Sequence, residues 1–142
     1  MEKKEIAELY MKGIDCAQVV VGAFVEELGI TTEEAYKMSA AFGGGMGLGE
    51  TCGAVVGAMI VLGLKYGHCE VEHIGQKDIM NAKRAEFLQK FQEKYAVCNC
   101  KGLLKHDISK PEEMQKILDE GLLFDFCPEV VKDSITILKE IF

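Results

Sequence analysis

The middle of the chain, residues 43–66, reads "GGGMGLGETCGAVVGAMIVLGLKY". It opens with five of the chain's fifteen glycines and continues as a long apolar segment. The residue preferences of helix ends predict a helix that begins near Thr51 and runs to about Tyr66, with Gly67 as its stop. Because this helix is apolar on most of its faces, we expect it to lie buried at the centre of the protein.

Helical patterns also precede this segment. A short opening helix is predicted before Gly13, where apolar residues recur at helical spacing. Asp15 with Gln18 forms a variant of the capping box, in which a cap residue and the third helical residue satisfy each other's backbone N–H groups. Thr31 with Glu34 is a second capping box. The N-terminal third of the chain therefore predicts three helices.

Helical patterns follow the segment as well. A long amphipathic helix is predicted over about residues 76–95, and two shorter ones open near Pro111 and Pro128. We find no strand pattern, repeat or low-complexity linker. The prediction is one all-α domain over residues 1–142, a compact bundle of about six to seven helices around the buried apolar helix.

Charge and hydropathy exclude several classes of partner. The chain has 23 acidic and 16 basic residues, a formal net charge of −7, which argues against binding to nucleic acid or to an anionic membrane. Its most apolar stretch, residues 54–64, is much shorter than the ~20 residues that span a bilayer. Residues 1–5 contain no apolar core of a signal peptide. We expect a cytoplasmic protein that does not insert into membranes.

The chain has six cysteines, which is many for a cytosolic protein, where structural disulfides are rare. Four of them fall at predicted helix N-termini: Cys16, Cys52, Cys100 and Cys127. A predicted cap residue precedes each of the first three: Asp15, Thr51 and Asn99. The fourth is itself the predicted cap, because Pro128 favours the first helical position.

A thiol at a helix N-terminus has distinctive chemistry. The unpaired N–H groups and the helix dipole favour the thiolate, so we expect these cysteines to have pKa values below the ~8.5 of free cysteine. Four such thiolates together would suit an iron–sulfur cluster. The glycine run of residues 43–49 can adopt positive φ and direct N–H groups at an anion. Gly53 and Gly57 would allow another helix or a cofactor to approach closely.

Four stretches of the chain resemble a known family, the redox-active proteins named for a C…GCAxxG…C…C pattern. They are "DCAQVVVGAF", "FGGGMGLGETCGAVVGAMIVLGL", "CKGLL" and "FCPEVV". Carried over to this chain, the family's cysteines fall on the four at predicted helix starts. The family is similar to a domain of split-Soret cytochromes, which implies a small helical module associated with an iron–sulfur centre. Covalent haem is not expected, because the chain has no Cys-x-x-Cys-His.

The leading hypothesis is an electron carrier in which Cys16, Cys52, Cys100 and Cys127 ligate a [2Fe–2S] or related cluster, with an unidentified redox partner protein. One alternative is thiol–disulfide chemistry by the same cysteines without metal. Another is a structural or sensory zinc site. Cys98 is an alternative to Cys100 at the third position.

Three further points stay open on the sequence alone. Cys69 is expected to be unrelated to the site. His68 and His73 flank it and are interpreted as loop residues. A homodimer formed through the apolar Cys52 helix is an option.

Overall fold

The computed structural model describes residues 1–142 as nine α-helices without a strand. The helices are α1 (Lys3–Met11), α2 (Cys16–Gly22), α3 (Val25–Leu28), α4 (Thr32–Ser39), α5 (Gly53–Tyr66), α6 (Ile74–Tyr95), α7 (Cys100–Leu104), α8 (Pro111–Asp119) and α9 (Cys127–Ile141). The predicted all-α fold is confirmed. The number of helices exceeds the predicted six to seven for two reasons. The predicted helix after Asp15 is divided into α2 and α3, and Cys100–Leu104 forms a separate short helix, α7.

Both predicted capping boxes are present. The Asp15 side chain accepts from the Gln18 N–H, and the Gln18 side chain accepts in return from the Asp15 N–H. Thr31 and Glu34 exchange the same pair of bonds at the start of α4. Each box satisfies N–H groups that a helix start would otherwise leave unpaired.

The main core surrounds α5. Nineteen buried residues form one cluster, contributed largely by α2, α5, α6 and α9. Helix α5 packs very closely on α2, since a Cβ at Gly57 would lie only 2.9 Å from Val20 Cβ and 3.0 Å from the Ala17 carbonyl oxygen. The predicted close approach at Gly57 is therefore confirmed, and so is the central position of the apolar helix. None of the nine helices has the length and apolar character needed to cross a membrane.

The glycine run before α5 forms a tight left-handed turn. Gly44, Gly45, Met46 and Gly47 have successive φ angles of 63°, 61°, 61° and 70°. This region costs an ordinary L-residue roughly 1–2 kcal/mol, so glycine is favoured at three of the four positions. The Gly45 carbonyl accepts from the Glu50 N–H and closes the turn. The positive φ angles predicted for this run are confirmed.

A second, smaller apolar cluster lies apart from the main core. Its buried members are Cys100, Leu104 and Ile117. Partly buried residues pack around them: Ile108, Met114, Leu122, Leu123, Phe126 and Cys127. We call these nine residues the outer cluster. It is built by α7, α8 and the π-helical turn Leu122–Phe126 that leads into α9.

Candidate cysteine site

The central feature of the site is a cavity of about 190 Å³ with mostly hydrophobic walls. Four cysteines line it: Cys16, Cys52, Cys100 and Cys127. They come from α2, the start of α5, α7 and α9, which are far apart in the sequence. The structure thus brings together the same four cysteines that the helix-start pattern selects.

Cys16 and Cys52 lie on the side of the cavity formed by the main core. Cys16 is the first residue of α2, directly after its cap, as predicted. The prediction for Cys52 is wrong by one residue, because Cys52 is itself the N-cap and α5 begins at Gly53. The Cys16 sulfur packs against Gly53, where an added Cβ would overlap it. Glycine at this position therefore lets the two cysteines lie close together.

Cys100 and Cys127 lie on the side formed by the outer cluster. Cys100 is the first residue of α7, and the Asn99 side chain caps the helix by accepting from the Gly102 N–H at 2.6 Å. The prediction that Cys127 is a helix cap is wrong. Helical backbone continues into α9 from Phe126, whose φ and ψ are −77° and −49°. Cys127 is therefore the first residue of α9 and lacks an open helix end before it.

A pair of main-chain hydrogen bonds links the starts of α5 and α7. The Cys52 N–H donates to the Cys98 carbonyl at 2.8 Å, and the Cys100 N–H donates to the Glu50 carbonyl at 2.6 Å. Between them, Thr51 and Asn99 form an isolated antiparallel bridge. Because main-chain bonds of this kind are directional, the bridge sets the positions of Cys52 and Cys100 relative to each other.

The acidic thiols predicted at the helix starts are not found. Burial raises the pKa of Cys16 to about 12 and the pKa of both Cys52 and Cys100 to about 11. Burial also raises the pKa of Cys127, and negative charge on the other three thiols would raise it further. Removal from water disfavours a thiolate more than the nearby amides favour it. In the protein without a bound group, the four thiols are therefore neutral at pH 7.

Backbone amides oppose this rise at two of the cysteines. The Gly44 and Ala17 amides lower the pKa of Cys16, and the Ala54 and Val55 amides do the same for Cys52. Gly44 belongs to the left-handed turn, so part of the glycine run faces the cavity as predicted. These N–H groups are suited to stabilise negative charge on the sulfurs of Cys16 and Cys52.

Tyr10 is a cavity residue that no motif in the sequence indicates. It is in α1 and lines the cavity together with the four cysteines. Its hydroxyl oxygen is buried and has no hydrogen-bond partner. The sequence signal for this position was only an apolar spacing shared with Ile6 and Leu9, which indicates a buried face but not what that face contacts.

The other two cysteines do not line the cavity. Cys98 is half-buried beside Cys52, and its sulfur accepts from the Gln92 side chain at 3.6 Å. Cys69 is exposed in the connection between α5 and α6. His68 and His73 are exposed in the same connection. Cys100, rather than Cys98, is thus the third cysteine of the cavity.

The four cysteines surround the cavity and do not meet at one point. No three His, Cys, Asp or Glu side chains anywhere in the chain are arranged to hold a single metal ion. All six cysteines are free thiols. The cavity that the four cysteines line, at about 190 Å³, has space for a group of several atoms.

Comparison with known proteins identifies the family. The model of one family, described as "Putative redox-active protein (C_GCAxxG_C_C)", matches residues 14–141. No curated protein and no solved structure gives a significant match. The family match includes all four cavity cysteines and nearly the whole chain. The chain therefore belongs to the C_GCAxxG_C_C family of redox-active proteins.

Proposed function

We propose that Cys16, Cys52, Cys100 and Cys127 bind an iron–sulfur cluster of the [2Fe–2S] or a related type. The protein would exchange electrons with a separate redox partner protein. The observation that carries the proposal is the convergence of four free thiols on one cavity of about 190 Å³. Four cysteine ligands are the usual set for such clusters.

The size of the cavity favours a cluster over a single ion. An apolar cavity of about 150 Å³ can hold a molecule as large as benzene, and the present cavity is larger. A structural zinc ion instead requires four ligands about 2.0–2.3 Å from one centre. No three cysteines are arranged around one such centre, so the preference for a cluster rests on the volume of the cavity and on the four thiols that line it.

The surrounding residues have defined tasks in this proposal. The cysteines would hold the cluster as thiolates, so binding of the cluster to protonated thiols would release protons. The amides of Gly44 and Val55 face sulfur and favour its negative charge. The hydrophobic walls, among them Leu103 and Phe126, limit contact with water. When bound, the cluster supplies one-electron oxidation and reduction.

Anaerobic purification of the protein with iron and sulfide tests the proposal. We expect a brown protein that absorbs visible light, loses that absorption on reduction with dithionite, and contains iron and sulfide. Cys52→Ser should lose most of the bound iron, because the variant removes one of the two ligands on the side of the cavity formed by the main core. Circular dichroism of this variant should show unchanged helix content.

Two matched variants serve as controls. Cys69→Ser should keep its full iron content, since Cys69 is exposed and remote from the cavity. Cys98→Ser should also keep its full iron content, which would show that Cys98 is not one of the ligands. Full iron content in Cys52→Ser would contradict the proposed ligand set. A colourless wild-type protein with one zinc per chain would favour zinc, whereas a metal-free protein that gains free thiols on reduction would favour thiol–disulfide chemistry.

A further inference from the structure

The Tyr10 hydroxyl is a buried polar group without a partner in the protein. Its oxygen is inaccessible to solvent and makes no hydrogen bond. Asp15, the one acidic residue that lines the cavity, uses its carboxylate to cap α2. Buried hydroxyls in native proteins nearly always have a partner, so the Tyr10 hydroxyl requires one from outside the protein chain, a water molecule or a bound group.

The surroundings of Tyr10 show where such a partner would lie. Tyr10 lines the same cavity as the four cysteines. Negative charge on Cys16, Cys127 and Cys52 would act directly on its hydroxyl. Tyr10 and these three cysteines therefore share the wall of one cavity. A phenol has an ordinary pKa near 10 and keeps its proton at neutral pH, so it can donate a hydrogen bond to an acceptor in the cavity.

We propose that the Tyr10 hydroxyl donates a hydrogen bond to a sulfur atom of the cluster held by the four cysteines, and so tunes its reduction potential. This inference rests on the function proposed above and deepens it. Tyr10 is a positioning residue, since it holds a proton towards the sulfur and does not ligate iron. It precedes the residues that match the family model, which begin at Ile14, so this contact would come from a part of the chain outside the match.

The direction of the effect follows from charge. Reduction adds one negative charge to the cluster, and a hydrogen bond to sulfur stabilises the reduced form more than the oxidised form. The bond from Tyr10 therefore makes the potential more positive. Its removal should favour the oxidised cluster by about tenfold, which is 59 mV for one electron.

Tyr10→Phe tests the inference by deleting only the hydroxyl. In the iron-loaded protein, we expect the midpoint potential from a redox titration to become more negative by about 59 mV. In the iron-free protein, we expect unchanged or higher thermal stability, because the variant removes a buried hydroxyl that has no partner there. A merely structural role for Tyr10 would not produce this pair of results.

Tyr66→Phe is the matched control. The Tyr66 hydroxyl donates to the Phe142 carbonyl and does not line the cavity. This variant should lower the stability of the iron-free protein and leave the potential unchanged. If the wild-type protein binds no cluster, the proposed function itself fails. If the wild type binds a cluster and Tyr10→Phe leaves its potential unchanged, the inference about Tyr10 alone is overturned.

Discussion

The cavity lies between two regions that bury very different amounts of side chain. On one side, nineteen buried residues form the main core and position Cys16 and Cys52. On the other side, three buried residues hold the outer cluster together and include Cys100. Since burial of apolar side chains is the main favourable term in folding, the two sides must differ greatly in intrinsic stability.

Because of this difference, the stability of the outer cluster depends on the group that occupies the cavity more than the stability of the main core does. The main core can form without any bound group, because its nineteen buried residues pack against one another in a single cluster. The outer cluster buries too little to be stable by itself and gains from anything that joins it to the core. The proposed iron–sulfur cluster, ligated by cysteines from both sides, would make that connection through four bonds to sulfur.

The largest effect is expected in the main core. Gly57→Leu should lower the free energy of unfolding by about 3 kcal/mol, because the added leucine side chain would overlap Val20 and the Ala17 backbone. Urea unfolding followed by circular dichroism measures the change. Gly63→Ala is a matched control on the same helix, since nothing lies within 4 Å of a Cβ there. It should stabilise the protein by about 0.5–1 kcal/mol, and a loss of stability in both variants would show that helix α5 tolerates no substitution.

A slightly smaller effect is expected in the outer cluster when the proposed cofactor is removed. A group present at 100 times its dissociation constant stabilises the state that binds it by about 2.7 kcal/mol. Amide hydrogens of Leu104 and Ile117 should therefore exchange about 100-fold faster in the iron-free protein. Amides of Val61 and Leu62 in α5 should exchange at unchanged rates. Equal acceleration at both places would mean that the two regions unfold together and the comparison is wrong.

The smallest effect is expected from a truncation within the outer cluster. Ile117→Ala should cost about 2 kcal/mol, the low end for such changes, because few buried neighbours surround Ile117. The loss should appear as an early step in urea unfolding, before the main transition. Ile117→Val removes one methylene group and should cost about 1 kcal/mol. If the loss of about 2 kcal/mol instead appears as a shift of the main transition, the outer cluster unfolds together with the main core and the comparison is wrong.

The features that were predictable from the sequence depend on neighbouring residues. The capping boxes at Asp15 and Thr31 each involve residues three apart, so the sequence alone determines them. Positive φ in the glycine run was predictable for the same reason, since few other residues adopt it. The selection of four cysteines at helix starts also used only local patterns, and those four converge on the cavity.

The remaining features depend on distant parts of the chain. The helix at Cys52 starts one residue late because Thr51 pairs with Asn99. The direction of the pKa shift of the four thiols was predicted wrongly. Local sequence patterns indicate helix ends, which lower the pKa of a thiol, but they do not indicate burial in an apolar cavity, which raises it. Tyr10 was missed because nothing near it in the sequence indicates that α1 reaches the cysteines.

The bridge between Thr51 and Asn99 has a consequence for assembly of the site. Its two main-chain bonds tie the first residue of α7 to the most stable part of the molecule. When the outer cluster loosens, Cys100 should therefore remain beside Cys52, although Leu104 and Ile117 become mobile. If the proposed cluster binds, Cys52 and Cys100 would therefore be the first pair of thiols in place to receive it, and Cys16 and Cys127 would complete the site afterwards.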